Sequence, residues 1–146
     1  MENPDILIAK EQLEQLHIVI AIVKDGEILF TSTKKGIQPF FDVLTDHPRD
    51  IFAGCSIADR VVGKAALMLA DYLGAKQVFS PLASEHAQTY AKASKGRIEL
   101  KAERIVDHII NRTHDGMCPM EKAVLDIDDP EEAFEALNNK LQELNS

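Results

Sequence analysis

The sequence predicts an α/β fold built on a mixed sheet, from a β-hairpin near the N-terminus and a strand–helix–strand unit later in the chain. The hairpin pairs His17–Lys24 (HIVIAIVK) with Ile28–Thr33 (ILFTST). Both runs are rich in β-branched residues, and Asp25-Gly26 between them tolerates the positive φ angles of a tight turn. The first run is almost wholly apolar, which places it inside the sheet with both faces covered. The later unit comprises Gln77–Leu82 (QVFSPL), a helix capped by Ser84 and ending near Ser94, and Arg97–Glu103 with Ile98 and Leu100 on one face. Its two strands should run parallel, joined by a right-handed crossover.

Caps and periodicity supply the remaining elements. Asn3-Pro4 opens a helix with an N-cap side chain and a proline at the first position. Ile6, Leu7, Ala9, Leu13 and Leu16 then recur at helical spacing to about His17. Gln38-Pro39 starts a short helix with Phe40, Phe41, Val43 and Leu44 on its apolar side, and Pro48 stops it. The stretch from Gly54 to Gly74 (GCSIADRVVGKAALMLADYLG) reads as the central helix, with Ser56 as N-cap and Asp59 as the capping-box acid. Its apolar face, from Ala58 through Leu73, is broad enough for a helix pressed against a sheet. Gly63 inside it would cost about 1 kcal/mol relative to alanine, which points to a close approach by another backbone.

Ile105–Ile110 fits strand and helix alike, and Asn111–Gly116 (NRTHDG) is polar and flexible in composition. MCPMEKAVLDI is a short helix with Cys118 at the cap and Pro119 at its first position. Asp129-Pro130 opens a last helix whose single stripe is Ala133, Phe134, Leu137, Leu141 and Leu144. That segment, 129–146, is expected to dock on the outside of a single domain spanning 1–146.

Composition narrows the function. A formal charge of −8 over 146 residues argues against a nucleic-acid backbone as main partner. No apolar run approaches the roughly 20 residues that cross a bilayer, and the first residues lack the basic start of a secretory signal. A cytoplasmic protein without membrane partners is the expectation. Cys55 and Cys118 are far apart and form no CxxC pair, and the five histidines are scattered, so no local metal motif is present. No cofactor motif is evident either: the loop Thr31–Gly36 (TSTKKG) lacks the strand–GxxxxGK[ST]–helix order of a phosphate-binding loop.

Two separated motifs, IADRVVGKAA and NRTHDGMCPMEKAV, resemble those of an uncharacterised prokaryotic family assigned to the cytidine-deaminase-like fold. The resemblance covers nearly the whole chain and implies a three-layer α/β/α sandwich around a mixed sheet. It implies no established activity. Zinc deaminases require a His or Cys followed two residues on by a catalytic glutamate, and a PCxxC pair opening the next helix. The equivalent segments here read Cys55-Ser56-Ile57-Ala58-Asp59 and Ser80-Pro81-Leu82-Ala83-Ser84. Without three zinc ligands, no water is activated in the deaminase manner.

The candidate site therefore combines polar residues of the two motifs. Ser56, Asp59, Arg60 and Lys64 from the central helix, with Arg112 and Cys118 from the later segment, are expected to share one pocket for a small anionic or nucleotide-like ligand. On a helix Asp59 and Lys64 lie about 140° apart and do not simply pair. A thiol-dependent enzyme is the first alternative, with Cys118 as nucleophile and His114 or Asp59 assisting. The second is a non-catalytic scaffold, whose outer helices would mediate assembly, including self-association. No metal is assigned.

Overall fold

The computed structural model describes residues 4–15, 17–34, 36–107 and 119–145, and for residues 144 and 145 the backbone alone. Helix α1 (Pro4–Leu13) leads into β1 (Ile20–Lys24) and β2 (Glu27–Ser32), which pair antiparallel. Asp25 and Gly26 turn the chain with φ of 52° and 81°, as the dipeptide predicts. The Asp5 carboxylate accepts both of their N–H groups, at 2.9 and 2.8 Å, so the start of α1 holds the hairpin tip. Helix α2 (Gln38–Asp46) follows, then a 3-10 turn at Arg49–Phe52.

The stretch expected to be one central helix is two short strands and a shorter helix. Strand β3 (Ser56–Asp59) is buried at every position and lies between β1 and β5. Strand β4 (Val61–Val62) continues on the same line: Ser56 faces Gln77 of β5, and Val61 faces Leu82. Helix α3 (Lys64–Leu73) begins only after Gly63, whose backbone is extended at φ −92° and ψ −179°. Ser56 is thus no N-cap, Asp59 no capping-box acid, and Gly63 no mid-helix residue. Strand β3 is covered on both faces and β4 keeps an apolar residue even at its exposed position, Val61, so Ile57, Ala58, Val61 and Val62 carry no period of two to separate them from a helix. Strands β1 and β5 on either side of β3, and β5 beside β4, supply backbone hydrogen bonds that local sequence does not display.

Strand β5 (Gln77–Ser84) passes through Pro81 and runs two residues beyond the expected end at Leu82. The break between β3 and β4 falls at Arg60, opposite Pro81 in the same register. Proline has no N–H for a ladder, and the neighbouring Ser80 hydroxyl compensates locally. It donates to the Leu82 carbonyl (2.7 Å) and accepts the Leu82 N–H (3.1 Å). Helix α4 (Glu85–Ala93) is capped as predicted, with Ser84 Oγ accepting the Ala87 N–H at 3.1 Å. Strand β6 (Glu99–Val106) then pairs parallel with β5, and Ile105 belongs to it.

The sheet order is β2-β1-β3-β5-β6, with β4 extending the line of β3 along β5; β1 is antiparallel to its neighbours and the later strands are parallel. Helices flank both faces. On one, Ile6, Ala9 and Leu13 of α1 pack over Ala21, Val23, Ala58 and Phe79. On the other, α2, α3 and α4 cover Ile20, Ile22, Ile57 and Val78. Strand β1 thus gives alternate residues to two cores, as its apolar run implies.

Helices α5 (Pro119–Ala123) and α6 (Pro130–Asn145) complete the second face. The acid-rich α6 docks through fully buried Ala133 and Leu137, and the Phe134 ring stacks on Tyr72 (4.7 Å) and Phe41 (5.3 Å). Gly74 ends α3 at φ 101°, and a Cβ there would meet Ala53 Cα at 3.0 Å. Both conditions select glycine.

Candidate functional site at the ends of the parallel strands

Strands β3–β4 and β5 run parallel and each feeds a helix, so the N-termini of α3 and α4 emerge at the same end of the sheet. Unpaired backbone N–H groups and the helix dipole make such an end attractive to anions. Here a carboxylate of the chain itself occupies it. Glu121 Oε2 accepts the Lys64 N–H at 2.8 Å and the Ser84 hydroxyl at 2.6 Å. Its side chain is 1% exposed. Ser84 works in both directions, accepting from the Ala87 N–H while donating to Glu121. Local sequence predicts the Ser84 cap but not its second partner, which lies 37 residues away.

Lys64 is the first residue of α3 and is buried. Its ammonium donates to the Leu125 carbonyl at 3.0 Å and meets Asp128 at 3.3 Å. The backbone of this one residue therefore grips α5, and its side chain the segment after it. Lys64 of the first motif thus meets Glu121 of the second, a residue outside the expected pocket. Arg112, His114 and Cys118 lie outside the described residues, as do Asn3 and Leu16.

Asp59 ends β3 and is 3% exposed. It faces Ile20 across the ladder and shares the sheet face of Ile57, inside the larger apolar core. Burial pushes its carboxyl up to about 8, against the backbone N–H groups of Val61 and Arg60, which pull it down. Near neutral pH it is largely a neutral acid, an environment typical of functional carboxyls.

Arg60 is spent on structure. Its Nε donates to the Ile18 carbonyl at 2.7 Å, and its Nη2 to the carbonyls of Leu13 and Gln15. One guanidinium thus ties the end of α1 and the following loop to the sheet. Ser56 is fully buried beside Val23 and Gln77 on the α1 side, the face opposite Asp59. Its hydroxyl has no partner, and neither has Gln77 Oε1 on the adjacent strand. The nearby thiol of Cys55 is buried, which raises it to about 12 and leaves it inert as a thiolate.

Among the described residues, no group of three or more His, Cys, Asp or Glu side chains is placed to hold a metal ion. No described helix is long and apolar enough to cross a membrane.

This geometry defines an α/β domain in which two helix starts meet at the carboxyl ends of the parallel strands, with no metal-holding cluster among the described residues. Residues 8–141 match the family model described as TM1506, a domain of unknown function (DUF1893), and the chain belongs to that family. It is also similar to the crystal structure of a DUF1893 family protein (TM1506) from Thermotoga maritima, with a TM-score of 0.82 at 20% identity. That likeness covers 96% of this chain and 92% of the other, and it carries the fold. No curated protein matches the sequence.

Proposed function

We propose that this is a cytidine-deaminase-like domain whose zinc chemistry has been lost and whose crevice binds a small anionic or nucleotide-like ligand. The sheet order, with an antiparallel hairpin beside later parallel strands, is consistent with that architecture. One observation carries the ligand class: the N-termini of two helices converge on a single buried carboxylate, Glu121. A crevice that holds a carboxylate between a backbone N–H and a serine hydroxyl has the donors to hold a ligand carboxylate or phosphate.

In this reading a ligand anion displaces Glu121 and takes over the Lys64 N–H and the Ser84 hydroxyl. Lys64 Nζ supplies positive charge, and Asp59 is the group with a pKa suited to proton transfer near neutrality. The roles of Arg112 and of Cys118 as nucleophile rest on sequence alone. The scaffold reading is favoured by how fully Glu121 satisfies the crevice.

Calorimetric titration of the wild type and of Glu121→Ala with inorganic phosphate and uridine monophosphate tests the proposal. Removing the competing carboxylate should tighten binding by about tenfold or more. Loss of stability in Glu121→Ala with no gain of anion binding sinks the ligand reading and leaves the scaffold.

A further inference from the structure

At the other end of the parallel strands, a cavity of about 520 Å³ opens where α1, the end of α4 and the first residues of β5 and β6 meet. That volume lies within the range of small-molecule sites. Its ionisable lining is Lys10, Lys92 and Lys101 against a single acid, Glu99. The imbalance is local and runs against the rest of the molecule. Between residues 76 and 104 there are six basic and three acidic side chains, a net of +3 in a chain whose total is −8.

Two further features shape the cavity. Lys10 Nζ stands 4.5 Å from the centroid of the Phe79 ring, so one ammonium is held over an aromatic face at the wall. Gln77 turns its Nε2 toward Glu99 at 3.3 Å, which leaves its Oε1 buried without a donor. A small rotation of this amide would offer the oxygen to a hydrogen-bond donor in the cavity, at the expense of one long contact.

From the cavity, its lysines and its place in a net-basic stretch of an acidic chain, we infer that it is a second ligand site, specific for a small multiply charged anion of the phosphate class. The negative field of the rest of the surface repels anions, and a confined patch of opposite sign concentrates them. The site is independent of the crevice, because Gln77 and Glu99 begin the strands that Ser84 and Val106 end.

The test is an amide-resolved NMR titration of the full chain with inorganic pyrophosphate and adenosine monophosphate, backed by calorimetry. Saturable shifts should centre on residues 10, 77–79 and 99–101. Lys10→Gln with Lys101→Gln should weaken binding by about tenfold or more, and added salt should weaken it further. Lys140→Gln, on α6, should change nothing. Lys92→Gln, on the surface of α4, serves as the single variant least able to disturb folding, and should weaken binding several-fold. Shifts confined to the amides of residues 64, 84 and 121 place the anion in the crevice and overturn the assignment. So does the absence of saturable shifts up to ~10 mM anion, or equal affinity in every variant.

Discussion

The two ends of the parallel strands are built on opposite principles. At the carboxyl end, among the described residues, the Lys64 N–H and Ser84 hydroxyl are engaged by Glu121, and the Lys64 ammonium by Leu125 and Asp128. At the amino end, three lysines border an open cavity and the polar inventory is incomplete, with Gln77 Oε1 unpartnered. Saturation stabilises, because a buried donor left without an acceptor costs about 1–3 kcal/mol. Charges at a surface in contact with water contribute little to folding. The carboxyl end should therefore dominate stability, and the amino end should be nearly silent in it.

Among substitutions, the largest loss belongs to Glu121. Replacing it with alanine orphans the Lys64 N–H and leaves the Ser84 hydroxyl without its acceptor, so urea denaturation should show a loss of about 4 kcal/mol. A loss below about 1 kcal/mol would mean that the carboxyl end is not the saturated region described.

Asp59 is read through pH. Its carboxyl has an ordinary value of 3.8 and is raised to about 8 in the fold. Between these values the folded chain keeps a proton that the unfolded chain has released, so stability falls as pH rises through that window and levels off above it. The loss should be up to about 6 kcal/mol, and Asp59→Asn should flatten the profile. A wild-type profile that is already flat from pH 4 to 8 would refute the buried neutral acid.

Arg60 gauges a linkage outside both ends. Arg60→Met removes the donors to the Leu13, Gln15 and Ile18 carbonyls and should cost about 2 kcal/mol. Hydrogen exchange should localise the loss to α1 and the loop before β1; a uniform loss of protection would contradict that local role. The smallest effect is expected at Lys10. Lys10→Met removes a cation–π contact at the rim and should change stability by about 0.5 kcal/mol or less, measured by thermal unfolding. A large loss there would make the amino-end lysines structural.

Much of the architecture was legible from local chemistry. Asp25-Gly26 marked the hairpin, Ser84 the start of α4, Pro119 the start of α5 and Asp129-Pro130 that of α6. Each is a short-range signal whose meaning lies in its own few residues. The stretch after Gly54 was misread because its residues suit two structures. Ile57 to Val62 is apolar enough for a helix face, and only the vacancy between β1 and β5 makes it a strand. Gly63 then changes from an awkward helix interior to an extended N-cap.

The candidate site divides the same way. Asp59 and Lys64 stood out by type, but placing them on a helix put Asp59 at the wrong end of its element and gave Arg60 a ligand role that the structure spends on three backbone carbonyls. Glu121 was visible only as an acid near a helix start. Its partners lie 57 and 37 residues earlier, beyond any pattern a single chain displays.

By itself the sequence determined the turns, the caps, the hydrophobic runs and the absence of zinc-ligand spacing, because each depends on neighbours along the chain. The tertiary structure alone decided which apolar run became the middle strand, which carboxylate sealed the helix ends, and which lysines shared a cavity. Those outcomes depend on backbone partners and buried charge brought together across the sheet, where free energy is set by neighbours in space.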